Sequence, residues 1–316
     1  MVQPDPQDRI VLRPLSLGEL LDRAVTLFVR NFPAFALIGI VYVVPLMVMQ
    51  YFVSESSAGS YQQLLDQIQH PNRTQPATLS SFPWGWIIAL FTFSSVCAPF
   101  VVSAYASAVA AVYRGRVPDW RAAYSAGLQH AGSILAGELL CGVAIFVGIF
   151  TWAFGFGILV GVAAVLVRAS AVLAAIVGII GGLGGIAWLL LVAVGYLALW
   201  FSILAIPVED AGVGTAFARG FRRIFTRNEL GRAVLVCLCF LAIYFCNFLL
   251  SAGITLIVDG IVRLRVLDTI AQGVLQLCFL GFFGTLLAVY YFDVRVRREG
   301  LDIQTRLDEL DASAGA

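Results

Sequence analysis

The residues able to do chemistry are few and dispersed. His70 and His130 are the only imidazoles in 316 residues. Cys97, Cys141, Cys237, Cys239, Cys246 and Cys278 all fall inside apolar runs, and none has the paired C-x-x-C spacing and histidine neighbours that a zinc site needs. They read as small buried apolar side chains rather than metal ligands or a disulfide framework. Catalysis needs a nucleophile or base with an orienting group converging on one pocket, and no such constellation is visible. The expectation is a chain with no catalytic residue, no metal and no cofactor, and not an enzyme.

Ionisable and amide side chains inside apolar stretches are the stronger candidates, because burying them in a bilayer is costly and they mark functional positions by default. They are Glu138, Gln50, Asn247, Gln272 and Gln276. Glu138 follows His130 by eight residues on one helical face, which permits a proton-handling pair. The alternative is a carboxylate at headgroup depth paired with an interfacial arginine. Gln272 and Gln276 lie four apart and share a face; they line a polar cavity or, more commonly, make interhelical hydrogen bonds. A second group is basic. Arg219, Arg222, Arg223 and Arg227 recur about every turn in 213–228, with Phe217, Phe221, Ile224 and Phe225 as the expected buried side. Such a helix suits anionic headgroups, at about 1 kcal/mol per basic residue near the surface. Glu209 and Asp210, just before it, read as N-terminal charges favoured by the helix dipole or as salt-bridge partners of Arg219 or Arg222.

The elements that carry these residues are membrane spans. The chain is 60% hydrophobic and 12% charged, too few charges for the exterior of a soluble domain of this size. Apolar runs at 32–53, 84–112, 133–206, 233–258 and 269–292 each exceed the roughly 18 residues that cross a bilayer. The first is long enough to remain as a signal anchor, and no cleavable signal is expected. Every basic residue is arginine. Sixteen of the 20, in the stretches before 31, at 114–121, at 219–232 and after 294, belong on one side if the run at 133–206 crosses twice. Only Arg73, Arg168, Arg263 and Arg265 fall on the other. The positive-inside rule then places both termini in the cytoplasm of a cell membrane, with about six crossings. Length alone would allow three crossings in 133–206, but parity between two arginine-rich flanks requires an even number. Its outer turn is expected near Arg168 rather than at the glycines of 178–185. The polar stretch 54–82 reads as one long extracytoplasmic loop. A net charge of +1 gives no pull toward nucleic acid.

Amphipathic segments at 15–31, 118–130 and 213–228 precede spans one, three and five. Ser16 and Glu19 form a capping box at the first. The segments end at Asn31, His130 and Asn228, roughly 100 residues apart, which predicts three units, each an interfacial helix and a transmembrane hairpin. The expected fold is an all-α integral membrane protein. Residues 1–14 form a disordered tail, 15–300 a polytopic domain (units 15–112, 113–206 and 207–292), and 301–316 a cytoplasmic tail.

Three stretches resemble a bacterial family named for the membrane domain of glycerophosphoryl diester phosphodiesterase. RPLSLGELLDRAVTLFVRNF (13–32) is similar to its opening. Glu209 to Gly220, with AFARGF at 216–221, is similar to its acidic residue and A-x-x-R-S element after span four, with Gly220 where serine is usual. YYFDVRVRREGLD (290–302) is similar to its close. In that family the phosphodiesterase chemistry belongs to a separate soluble barrel, for which these 316 residues leave no room. The resemblance therefore implies a stand-alone membrane module. The mitochondrial-carrier signature fails, because Gly212 stands where a basic residue is required after Pro207 and Glu209. The expected role is non-catalytic, handling or sensing lipid of the anionic inner leaflet or supporting other membrane proteins; the alternative is a small-solute or lipid transporter or channel. Reporter fusions at Ser57 and Asp268 should read outside, and at Gly115, Thr226 and Gly300 inside. An outside signal at Thr226 would break the parity argument.

Overall fold

The computed structural model describes residues 13–69, 83–167, 170–258 and 265–300. The chain is all-α, with short and long helices alternating in a fixed order. They are α1 (Leu17–Arg30), α2 (Phe32–Gln69), α3 (Trp84–Tyr113), α4 (Trp120–Gln129), α5 (Ala131–Val167), α6 (Ala171–Glu209), α7 (Val213–Ile224), α8 (Arg227–Ile257) and α9 (Arg265–Glu299). The short–long–long order recurs three times. The six long helices are each long and apolar enough to cross a membrane, so the protein is a multi-pass membrane protein. The tails at 1–12 and 301–316, His70 and Arg168 lie outside the described residues.

Local chemistry sets the boundaries. At α1, the Ser16 amide donates to the Glu19 carboxylate (2.8 Å) and the Glu19 amide donates back to the Ser16 hydroxyl (3.3 Å), which is the capping box read from the sequence. These two bonds and Arg13 at 2.5 Å hold the Glu19 carboxyl down to about 2. The Asp119 carboxylate caps α4 by accepting from the Arg121 amide at 3.1 Å. Ser170 caps α6. Helices α5 and α6 stop and start on either side of Arg168, and the glycines of 178–185 lie within α6. Asp210 ends α6 in the left-handed region (φ 52°).

Two expected boundaries are corrected. The stretch 54–82 is not wholly a loop, because α2 continues to Gln69. Its Gln, Leu and Ala residues are good helix formers, and polarity decides what a helix faces rather than whether it forms. The third amphipathic segment ends at Ile224, and Arg227 already begins α8, so the third break falls at Phe225–Thr226 and not at Asn228.

The chain packs as two compact units that do not follow the three sequence units. One gathers Leu21–Ser125 and Ile243–Ala288. Its core is Tyr105 on α3, fully buried, whose hydroxyl donates to the Phe35 carbonyl on α2 at 3.0 Å. The Tyr124 hydroxyl donates to the Ile38 carbonyl at 2.7 Å. The other unit gathers Met1–Leu20, Ala126–Ala242 and Val289–Ala316. In it α5 and α6 form a long hairpin with two zones. Along α6, most of 171–193 is exposed and apolar, whereas Leu197 to Ile206 are buried. The exposed zone is on the order of 34 Å long at 1.5 Å per residue, close to the roughly 30 Å hydrocarbon core.

Helix α7 packs on the buried zone of α6. A Cβ at Gly220 would lie 2.7 Å from the Ala198 carbonyl and 2.9 Å from the Ser202 amide, and would overlap the Ser202 hydroxyl. The space of a side chain at 220 is therefore filled by Ser202 and the α6 backbone. Gly220→Ala should lower stability by about 1–3 kcal/mol, the usual cost of overpacking, read as a drop in the thermal midpoint in detergent. Adding Ser202→Ala should restore only part of it, because the α6 backbone stays in the way.

Candidate functional site

Within the unit that holds α5, α6 and α7, two charged clusters form around buried carboxylates. The first centres on Glu209, the last residue of α6, whose side chain is 7% exposed. Its Oε1 accepts from Arg223 Nη1 at 2.6 Å and its Oε2 from Arg223 Nη2 at 3.0 Å, a bidentate fork. Arg219 Nη1 reaches Oε2 at 2.9 Å, Arg295 stands 3.5 Å from Oε1, and the Tyr291 hydroxyl donates to Oε1. Arg223 also binds Glu299, and its guanidinium lies 5.5 Å over the Tyr291 ring. The second cluster centres on Asp293, 1% exposed at its side chain. Its Oδ1 accepts from the Leu15 amide at 2.7 Å. Arg232 Nη1 stands 2.5 Å from its Oδ2, and Arg297 Nε donates to the same oxygen at 3.2 Å. Arg232 and Arg297 each donate to the Leu15 carbonyl. The non-helical residues before α1 are thus held through both backbone groups of Leu15, while its side chain is buried.

These contacts join the three stretches that carried the family resemblance. Leu15 comes from the first, Glu209 and Arg219 from the second, and Asp293 and Arg297 from the third. No protein-family model, curated relative or solved structure matches the chain.

The expected headgroup arginines divide. Arg223 is buried, 4% exposed, and its charge is spent on Glu209 and Glu299; it is removed from the lipid-facing set. Arg227 lies on α8 rather than α7. Arg222 and Arg227 are exposed, and Arg219 keeps 42% of its side chain exposed while paired to Glu209. The buried face of α7 is corrected in part. Ile224 is buried as expected and Phe217 is half-buried, but the rest of that face is Ala216, Gly220 and Arg223, because Gly220 lets the α6 backbone come close and the Arg223 charge is paired. Phe221 and Phe225 instead stack on each other with centroids 5.6 Å apart and stay exposed, at 37% and 41%.

Other expectations resolve individually. His130 does not pair with Glu138. Its Nδ1 faces the Ala126 carbonyl at 3.0 Å and its Nε2 the Asp210 carboxylate at 2.8 Å. With an acceptor at each nitrogen, the Ala126 carbonyl first and Asp210 second, the imidazolium is favoured and the pKa rises. Glu138 is half-buried and has no ion pair or hydrogen bond among the described residues. Gln50 is half-buried on α2. Asn247, Gln272 and Gln276 lie on α8 and α9 in the other unit, where Gln272 bonds to Ser251 and Thr255. Tyr290 and Tyr291, which open the third stretch, are fully buried.

The clusters contain saturated carboxylates and arginines that do not give up protons. Such pairs can hold the segments that carry them in place. Glu209→Gln or Arg223→Gln should each cost about 3–5 kcal/mol, because each leaves a buried charge short of its partner. Glu209→Met with Arg223→Met should cost clearly less than the sum of the single changes. Unfolding midpoints of the singles and the double in one detergent measure this, and additive losses would show that the two side chains do not act as a pair.

Proposed function

We propose that this chain is a non-catalytic module of the cytoplasmic (inner) membrane, with both termini inside, that senses or handles anionic lipid through the outward face of α7. The observation that carries the reading is the exposed Phe221–Phe225 stack beside the exposed Arg222, with Arg227 beginning the next helix. Aromatic rings left in contact with solvent gain by entering the headgroup boundary, and guanidiniums beside them gain by meeting phosphates. The opposite face of the same helix is fixed to α6 by Gly220 and to Glu209 and Glu299 by Arg223. Lipid contact on one face is therefore tied to α6 and to the end of α9 through the other.

The alternative, a small-solute or lipid transporter or channel, draws its support from a line of polar side chains between α8 and α9. Lipid sensing accounts for the exposed aromatic and basic residues of α7, which a transport path does not use.

Arg222→Gln with Arg227→Gln should weaken retention of anionic lipid by roughly tenfold or more, from about 1 kcal/mol per charge removed. Phe221→Ala with Phe225→Ala should weaken it further while leaving the buried clusters intact. Native mass spectrometry of each variant with phosphatidylglycerol against phosphatidylcholine reads the preference. An unchanged preference in a correctly inserted protein would leave α7 as a topological signal only.

A further inference from the structure

In the unit formed by Leu21–Ser125 and Ile243–Ala288, the facing sides of α8 and α9 carry two polar stripes at four-residue spacing. On α8 they are Asn247, Ser251 and Thr255; on α9, Asp268, Gln272 and Gln276. The helices run antiparallel, so each step down one matches a step up the other. Thr255 Oγ1 donates to Asp268 Oδ1 at 3.2 Å. Gln272 Nε2 donates to Thr255 Oγ1 and to the Ser251 carbonyl, both at 2.9 Å. Ser251 Oγ donates to Gln272 Oε1 at 2.8 Å. Ser251, Gln272 and Thr255 thus form one chain that leads from Ser251 Oγ through Gln272 and Thr255 to the Asp268 carboxylate, with a second Gln272 N–H returned to the Ser251 carbonyl.

The same register brings Asn247 opposite Gln276 as the third rung, and there the pattern stops. Among the described residues, Asn247 Oδ1 is buried without a hydrogen-bond partner, and Gln276 makes no hydrogen bond. Interhelical hydrogen bonds, worth about 0.6 kcal/mol on average, account for the first two rungs and not for the third. A buried amide oxygen left unpaired costs about 1–3 kcal/mol, and the usual partner for such a group is ordered water.

We propose that the α8–α9 seam is a hydrated polar file, in which ordered water reaching inward from Asp268 completes the rung at Asn247 and Gln276. The chemistry favours water over a cation. Asp268, the carboxylate in these stripes, lies two rungs from Asn247, about 12 Å along the helix at 1.5 Å per residue. A cation at that depth without a nearby counter-charge would be costly. A neutral molecule that both donates and accepts satisfies the Asn247 oxygen and the Gln276 amide together. This inference stands apart from the lipid reading of α7, which involves the other unit.

The test uses cysteine accessibility in liposomes. Variants of the full chain keep one cysteine each, at Asn247→Cys, at Gln276→Cys or at the native Cys246, with the other native cysteines replaced by Ser. Cys246 neighbours Asn247 in sequence but is exposed on the apolar surface of α8. A membrane-impermeant methanethiosulfonate reacts with thiolate, which forms only where water reaches the sulfur. The thiolate sulfur bonds to the reagent's sulfenyl sulfur and sulfinate leaves. Labelling at 247 and 276 is expected to be at least about tenfold faster than at Cys246. Equal or slower labelling, with all three positions labelled after denaturation, overturns the proposal. Radiolytic footprinting of the unaltered chain gives an independent reading that needs no variant to assemble. With rates normalised to the intrinsic reactivity of each side chain, peptides spanning 247–255 and 268–276 should be oxidised above the exposed zone of α6 at 171–193, and protection equal to that zone also overturns it.

Discussion

A charge taken out of water must be met by an opposite charge and by hydrogen bonds, or the group is not tolerated. That constraint organises the unit built on α5, α6 and α7. Helix α6 ends on Glu209, whose side chain is 7% exposed, and α9 carries Asp293 at 1%. Asp293 has one cation on its own helix, Arg297; the other partners of the two carboxylates include groups from elements brought close by the fold. Arg219 and Arg223 require α7 to turn back on α6. Arg232 requires the start of α8. The Leu15 amide requires the chain entering α1. Two acids therefore set where three segments lie. Gly220 is the steric counterpart, since a backbone approach close enough for Arg223 to reach Glu209 leaves no room for a Cβ.

The long helices show a second constraint, the thickness of the bilayer. Helix α6 has 39 residues, far more than the roughly 20 that cross the hydrocarbon. The surplus is not spread evenly. An exposed apolar zone of bilayer length is followed by a zone buried against protein, and the charged cluster lies at the end of the second. Tilt alone would leave lipid-facing residues along the whole helix. The change from exposed to buried shows that the added turns serve as a post on which α7 packs. Within lipid, where apolar contact does not favour one helix neighbour over another, polar side chains contribute specificity. In the unit with α2 and α3, the paired stripes of α8 and α9 do this through Ser251, Thr255, Asp268 and Gln272.

The helix count, the approximate spans, the capping box at Ser16 and the turn beside Arg168 were legible in the sequence, because each depends on local patterns of apolar length or on side chains three residues apart. The continuation of α2 past Val53 was not, because its polar composition fits both a loop and a solvated helix. The charged clusters were legible only as fragments. Glu209 and the arginines that follow it are visible as charges, but pairing across 14 residues to Arg223 and across 82 to Tyr291 depends on how helices return to one another. Asp293 had one local signal, Arg297 four residues on, which places both on one face. The amide residues of α8 and α9 looked scattered because their alignment depends on the antiparallel register of two helices rather than on either alone.

Arg222 and Arg223 show why counting basic residues could not separate topology from structure. They are adjacent, identical and equally consistent with a cytoplasmic flank. About 100° of helical rotation puts one in the open beside Phe221 and the other against Glu209 and Glu299. The first keeps its charge available to whatever surrounds the protein. The second has its charge neutralised, and gives α7 a fixed position. A headgroup can compete for Arg222 but not for Arg223 without breaking a bidentate fork and stranding a carboxylate. On the lipid reading proposed above, the exposed face of α7 gains or loses lipid while its anchored face stays in place, and the buried pair holds the exposed residues in a constant geometry.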